Sequence, residues 1–398
     1  MRLSHSLSFP WIACLIIFAV VCSIGSTVLA APKAKDRSGA NTAATIATSA
    51  ESAVILDANG AILFEKNAHK RLPPASVTKI MTLLLAVEAV EQGKIKLTDE
   101  VAVSHQVWRQ GGSQIWLEPG EKMSVKEMMT AVAVVSANDA ALAIMEHIYG
   151  NQQAAVDAMN LRATELGLQN THFANVNGLP IPDHYMSAYD TALIAREALR
   201  YPLYMELVGI KEHWLRNGKN WLVNTNKLLW WYPGADGLKT GWTEEAKYCF
   251  VGTAKRDGLR LIAAVFATPE PRSHLRETMK LFDWGFANFT ANSIVEQFAP
   301  IQRIKVSKGM DKAINVVAAE SLSVILPKGK KTNMEKKITC STWLTAPVMK
   351  GQKCGEMLAL QDGKIVGKID LIAEKDVAKA GFTKIFTDNV LELFKVTK

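Results

Sequence analysis

The order of elements along this chain predicts an α+β multidomain protein: an antiparallel sheet with helices around it, then a small all-β domain, then a C-terminal amphipathic helix. Three observations carry that expectation. Strand-like and helical segments are segregated, running hairpin, helical block, strands and final helix, rather than alternating as in a parallel βαβ sheet. From about Ala299 to Ile372 the texture changes to short β-type runs broken by Gly and Lys turns, such as "INVVAAESLSVILPKG". The tail from Val377 sets Phe382, Ile385, Phe386, Val390, Leu393 and Phe394 near one helical face, opposite Lys384, Asp388, Glu392, Lys395 and Lys398.

Taken in order, the chain opens with Arg2, a mainly apolar run from Trp11 to Ile24 and small residues up to Ala30, the layout of a secretory signal cleaved near Ala30-Ala31. An uncleaved anchor is the alternative; either way the rest of the chain is exported. Residues 31–50 lack periodicity and are rich in Ala, Thr and Ser, so they read as a flexible spacer. The catalytic domain is expected over 51–295. It starts with two apolar runs around Asn59-Gly60, a strong hairpin signal. "PPASVTKIMTLLLAVEAV" follows, a helix apolar all round and therefore a core helix. "SVKEMMTAVAVVSANDAALAIMEHI" gives two helical segments interrupted at Ser136-Ala137-Asn138. "KTGWTEEAKYCFVGTAKRDGLRLIAAVFAT" reads as strand, turn at Arg256-Asp257-Gly258 and strand, and "SHLRETMKLFDWGFANFT" closes the unit as a helix. A small all-β domain over 299–375 and an amphipathic helix over 377–398 complete the division. That helix lies on a membrane surface or docks onto protein.

Composition excludes several classes. The formal net charge of +8 over 398 residues is modest and dispersed, with no basic stripe interleaved with aromatics, so nucleic acid is not the partner. An anionic envelope surface suits the charge better. Loss of the signal leaves Cys249, Cys340 and Cys354, an odd number with no metal-like spacing. An oxidising compartment permits a Cys340–Cys354 bridge, whose geometry the sequence does not fix, and Cys249 reads as a small core residue. His147 and His184 also lack metal-ligand spacing. No metal or organic cofactor is expected.

Chemistry concentrates at three places. Ser76 and Lys79 are three residues apart at a helix N-terminus, hence on one face. A serine hydroxyl needs a base within hydrogen-bond reach, and Lys79 is one if burial and a second cation, Lys239, keep its amine neutral. Ser136 sits at the helix break, placed to relay a proton to a leaving amine, with Asn138 able to hold substrate backbone. Lys239 and Thr240 suit a substrate carboxylate, and Gly241 is expected to leave room for a peptide along the strand edge. The N–H groups of Ser76 and Trp242 are the expected oxyanion hole. Each motif is common alone; the three in this order, in these settings, point to serine acyl transfer.

"PASVTK", "SANDAA", "NTNKLL", "GLKTGWT", "NGLPIPDHYMSAYDTALIAREAL" and "LFDWGF" resemble the D-alanyl-D-alanine carboxypeptidases, the low-molecular-mass penicillin-binding proteins of peptidase family S11, from about Ser52 to the C-terminus. The resemblance implies a penicillin-binding, β-lactamase-like transpeptidase fold and a β-rich C-terminal domain. It also implies removal of the terminal D-Ala from peptidoglycan stem pentapeptides, covalent inhibition by β-lactams, and a terminal helix on the outer face of the cytoplasmic membrane. One position departs from the family pattern. His274 stands where an arginine is usual for the terminal carboxylate, with Arg272 and Arg276 on either side as the expected substitutes.

Two rivals remain at this level. A class A β-lactamase would need a deacylating carboxylate, and "TELGLQN" offers Glu165. A catalytically idle cell-wall binding protein would lack part of the residue set, which is present here. Trp214, Trp221, Trp230 and Trp231 are expected to pack in the core or at an interface, with Trp242 the exception. Asn226 in "NTNKLL" reads as a residue that organises the site from behind rather than as a catalyst.

Overall fold

The structure, a computed structural model, describes residues 46–329 and 333–383. The signal segment, most of the spacer and residues 384–398 of the expected terminal helix lie outside the described residues; the expected helix start at Val377 is corrected, because Val377 and Lys379 form β-bridges to Val348 and Gly309 and Val377 packs in the core of the β-domain. No helix among the described residues is long and apolar enough to cross a membrane.

The first unit is built on a five-stranded antiparallel sheet. Strands β1 (Ser52–Asp57) and β2 (Ile62–Lys66) form the expected hairpin, with Gly60 at φ +89° in its turn. A side chain there would run into Arg196. Strands β3 (Ala235–Thr243), β4 (Lys247–Arg256) and β5 (Leu259–Thr268) complete the sheet in the order β2-β1-β5-β4-β3, which leaves β3 at an edge. The turn between β4 and β5 puts Asp257 and Gly258 at positive φ, as the Asp-Gly pair predicts. "AVIL" in β1 carries no alternation because both faces of the sheet are covered. Val54 and Leu56 join the core under the helical block, whereas Ala53 and Ile55 pack with Leu281 and Phe282 of helix α4 (Ser273–Asn288).

Helix α1 (Lys79–Glu91) runs through the middle of the larger core, with Ile80, Met81, Leu84 and Val87 fully buried. Burial of such side chains contributes about 1.5–3 kcal/mol each, so this helix is fixed rigidly in place. Helices α2 (Val125–Val135) and α3 (Asn138–Tyr149) pack on each other beside it. Ser124 caps α2 in a reciprocal capping box with Glu127.

The C-terminal unit is all-β, with a six-stranded sheet around its own core of Ile304, Val316, Met357, Ile369 and Leu371. Its β-structure starts earlier than residue 299: the strand Phe289–Val295 pairs with Leu322–Pro327. The helix-like reading of "FDWGFANFT" hid this, because α4 ends at Asn288 and the chain turns directly into the strand. Cys340 and Cys354 are both free thiols, and Cys249 is buried as expected. Cys340 stands opposite Gly355, not Cys354, in the pairing of their strands.

Candidate active site

Ser76 lies on a 3-10 turn, Ala75–Thr78, that leads into α1, rather than on the α-helix itself. Ala75 takes φ +49° to bend the chain into that turn. Gly178 closes in from one side: a Cβ on it would fall 1.9 Å from the Ala75 carbonyl oxygen. On the other side Gly241 of β3 would place a Cβ 3.0 Å from both Pro74 O and Val77 N, and 3.1 Å from Ser76 N. The room Gly241 leaves is taken by the serine turn, a role beyond the expected one of clearing a path for a peptide.

Lys79 is 1% exposed, and its Nζ donates to Ser76 Oγ at 2.9 Å and to the Asn177 carbonyl at 2.7 Å. Burial pushes its amine well below the usual lysine range; the Lys239 ammonium adds to that, and Asp139 opposes it. Lys239, also buried, is brought down to about 7 by burial. Its Nζ donates to the Thr240 carbonyl at 2.9 Å. The Thr240 hydroxyl donates to Thr225 Oγ1 at 2.8 Å, and Thr225 N donates to Val134 O, which ties β3 to the end of α2 just before Ser136.

Ser136 adopts φ +62° as α2 ends, so that α3 can start at Asn138. Asn138 Nδ2 donates to Gly111 O at 2.6 Å. Ser136 Oγ and Asn138 Oδ1 are buried and have no hydrogen-bond partner among the described residues. Buried polar groups are nearly always paired, so these two orphans at the start of α3 are open to ligand groups.

Asp139, Arg216 and Asn175 support the site without any local spacing to announce them, and His184 and Asn226 join them. Asp139, fully buried, accepts from Ile115 N at 3.1 Å, Leu117 N at 3.1 Å and Ala140 N at 2.9 Å, and so pins the loop opposite β3. Arg216 clamps the same loop: it pairs with Glu121 through two bonds and donates to Ile115 O at 3.0 Å. Asn175 Oδ1 accepts from Asn177 N and Gly178 N, which sets the carbonyl that Lys79 uses. His184 joins Thr78 Oγ1 to the amides of Ala174 and Asn175, and burial brings it to about 4, so it is a neutral structural bridge. Asn226 accepts from Leu228 N within its own loop.

The arginine expectation fares differently. Arg276 is tied to Glu270 and Pro271 O, and both Arg272 and Arg276 are exposed, without a described contact to Lys239, Thr240 or the serine turn. His274 instead faces inward, stacked on Tyr248 at 5.5 Å and 7°, and Tyr248 lies against Trp242. None of the four tryptophans expected to pack is in the core: Trp214, Trp221, Trp230 and Trp231 are all exposed, the first two stacked across a hairpin whose other face buries Leu215 and Leu222, and Trp242, the expected exception, is exposed as well. Glu165 belongs elsewhere. It pairs with Arg162, which also holds Glu88 on α1, nine residues or about 13 Å along the axis from Lys79. A deacylating carboxylate in the β-lactamase manner is not supplied by it.

Fold and site together are those of the penicillin-binding enzymes. The chain belongs to the D-alanyl-D-alanine carboxypeptidase family, peptidase S11: the family model matches residues 39–270, and the model of the penicillin-binding protein 5 C-terminal domain matches residues 289–379. Among curated relatives, the D-alanyl-D-alanine carboxypeptidase DacF of Bacillus subtilis is 41% identical over 88% of this chain and 92% of its own. DacC of Escherichia coli is 35% identical over 86% of this chain and 87% of its own. Among solved structures, penicillin-binding protein 5 of Haemophilus influenzae superposes with a TM-score of 0.67 at 33% identity, covering 84% of this chain and 99% of that one.

Proposed function

We propose that the chain is an exported serine-type D-Ala-D-Ala carboxypeptidase that removes the terminal D-Ala from peptidoglycan stem pentapeptides through an acyl-enzyme on Ser76. The observation that carries this reading is the 2.9 Å hydrogen bond between a buried, pKa-lowered Lys79 and the Ser76 hydroxyl. Neutral Lys79 takes the Ser76 proton as Oγ bonds to the carbonyl carbon of the penultimate D-Ala. The Ser76 and Trp242 amides steady the oxyanion. The proton passes through Ser136 Oγ to the leaving nitrogen, the C–N bond breaks, and D-Ala departs. Water then hydrolyses the ester and restores Ser76. Asn138 holds the substrate backbone, and Lys239 and Thr240 hold its terminal carboxylate. A β-lactam acylates the same serine, but its leaving nitrogen stays tethered.

The domain division supports placement at the cell envelope: a signal over 1–30, a spacer over 31–50, the catalytic unit, the small all-β domain and, after Ala380, an amphipathic tail on the outer face of the cytoplasmic membrane. The test is mass spectrometry of a defined pentapeptide muropeptide incubated with the signal-less protein. Loss of one alanine is expected, and Ser76→Ala should abolish both that loss and covalent penicillin labelling. Persistent release from the variant, or rapid turnover of benzylpenicillin by the unaltered protein, would overturn the reading.

A further inference from the structure

A groove of about 390 Å³ opens beside the serine turn, lined by Pro73, Leu179, Pro180 and Ile181 on one side and by Thr243 and Glu245 on the other. Its walls are mostly apolar, His184 and Thr243 being neutral polar exceptions, and Glu245 is its one charged group, an exposed carboxylate with no ion pair or hydrogen bond among the described residues.

Resting on the carboxypeptidase reading above, the direction of a bound peptide follows from β3. Its terminal carboxylate sits at Lys239 and Thr240, and the Ser76 amide lies against Gly241, one residue further along the strand. The scissile carbonyl is therefore level with Gly241, and the residues on its acyl side continue past Trp242 to Thr243 and Glu245. That places the third residue of the stem peptide, the one before the two D-Ala residues, at the mouth of the groove. We infer that this groove takes the long aliphatic side chain of the third stem residue, with Glu245 receiving its terminal amine. The walls match a methylene chain, and the single unpaired carboxylate matches a primary ammonium at its end.

The experiment compares two peptides, Nα-acetyl-L-Lys-D-Ala-D-Ala with a free ε-amine and its Nα,Nε-diacetyl form. The unaltered protein should favour the free amine about 2- to 5-fold in kcat/KM, the range for a solvent-exposed ion pair. Glu245→Gln should bring the ratio to one with turnover of the diacetyl peptide unchanged, and Glu245→Lys should invert it. A ratio of one in the unaltered protein, or a preference that survives Glu245→Gln, would overturn the assignment. The same comparison run as acylation by a penicillin whose acyl chain ends in a primary amine, and by its N-acetyl form, reads the groove without peptide turnover. Absent peptide cleavage thus counts against the carboxypeptidase reading, and absent discrimination in acylation counts against Glu245.

Discussion

Gly241→Ala separates two roles for the glycine of the Lys-Thr-Gly strand. The added methyl would stand 3.0 Å from Pro74 O and Val77 N, where ordinary contact begins at 3.4 Å, so turn and strand must part by about 0.4 Å. Overpacking of this kind costs about 1–3 kcal/mol, or a Tm lower by about 2–4 °C for each kcal/mol in a domain of this size. A 1 Å misplacement of reacting groups costs about 100-fold, so 0.4 Å scaled logarithmically is about sixfold. The assay is the second-order rate of covalent penicillin labelling at pH 7, alongside thermal unfolding. A small β-lactam and the stem peptide should lose rate by similar factors, because the defect lies in the position of Ser76. Unchanged labelling at unchanged Tm would refute the packing argument. A loss confined to the peptide would show that the glycine clears a path for substrate instead.

Two further outcomes follow from the charges around the site. Lys239 must be cationic to hold a carboxylate and titrates at about 7, so kcat/KM for a peptide with a free C-terminus should fall as pH rises through that value. The same peptide with an amidated C-terminus should lack the descending limb, and a limb common to both would assign it to another group. Asp139→Ala should lower stability by about 2–5 kcal/mol in urea unfolding, because the amides of Ile115 and Leu117 lose their buried acceptor. A loss under about 1 kcal/mol would mean water replaces the carboxylate.

What could be read from the sequence was whatever has a local spacing. Ser76 and Lys79 are one turn apart, Ser136 and Asn138 straddle a helix break, and Lys239 and Thr240 share a strand, so each pair is fixed by its own segment. The structure adds what no spacing encodes. The Asn177 carbonyl that receives Lys79 is a backbone group and leaves no residue-type signature. Asp139 and Arg216 act on a loop that is distant in sequence, so their partners depend on how α2, α3 and the hairpin pack. An apolar side chain in a short hairpin gives no clue to which face is covered, so the sequence does not say that Trp214 and Trp221 stand on the open face rather than in the core. The placement of His274 against Tyr248 follows from the angle of α4 on the sheet, a tertiary property.

The position of β3 at the edge of its sheet has one more consequence. An edge strand offers unpaired main-chain groups to any extended chain that arrives, which is ordinarily an aggregation hazard. Here the serine turn packs against that edge at Gly241, so an extended visitor that follows the strand passes directly beside Ser76. Pairing of that kind reads a visitor's main chain before its side chains, which leaves finer selection to groups beyond the strand, Glu245 among them. It also leaves the protein open to any compact molecule that imitates a chain end.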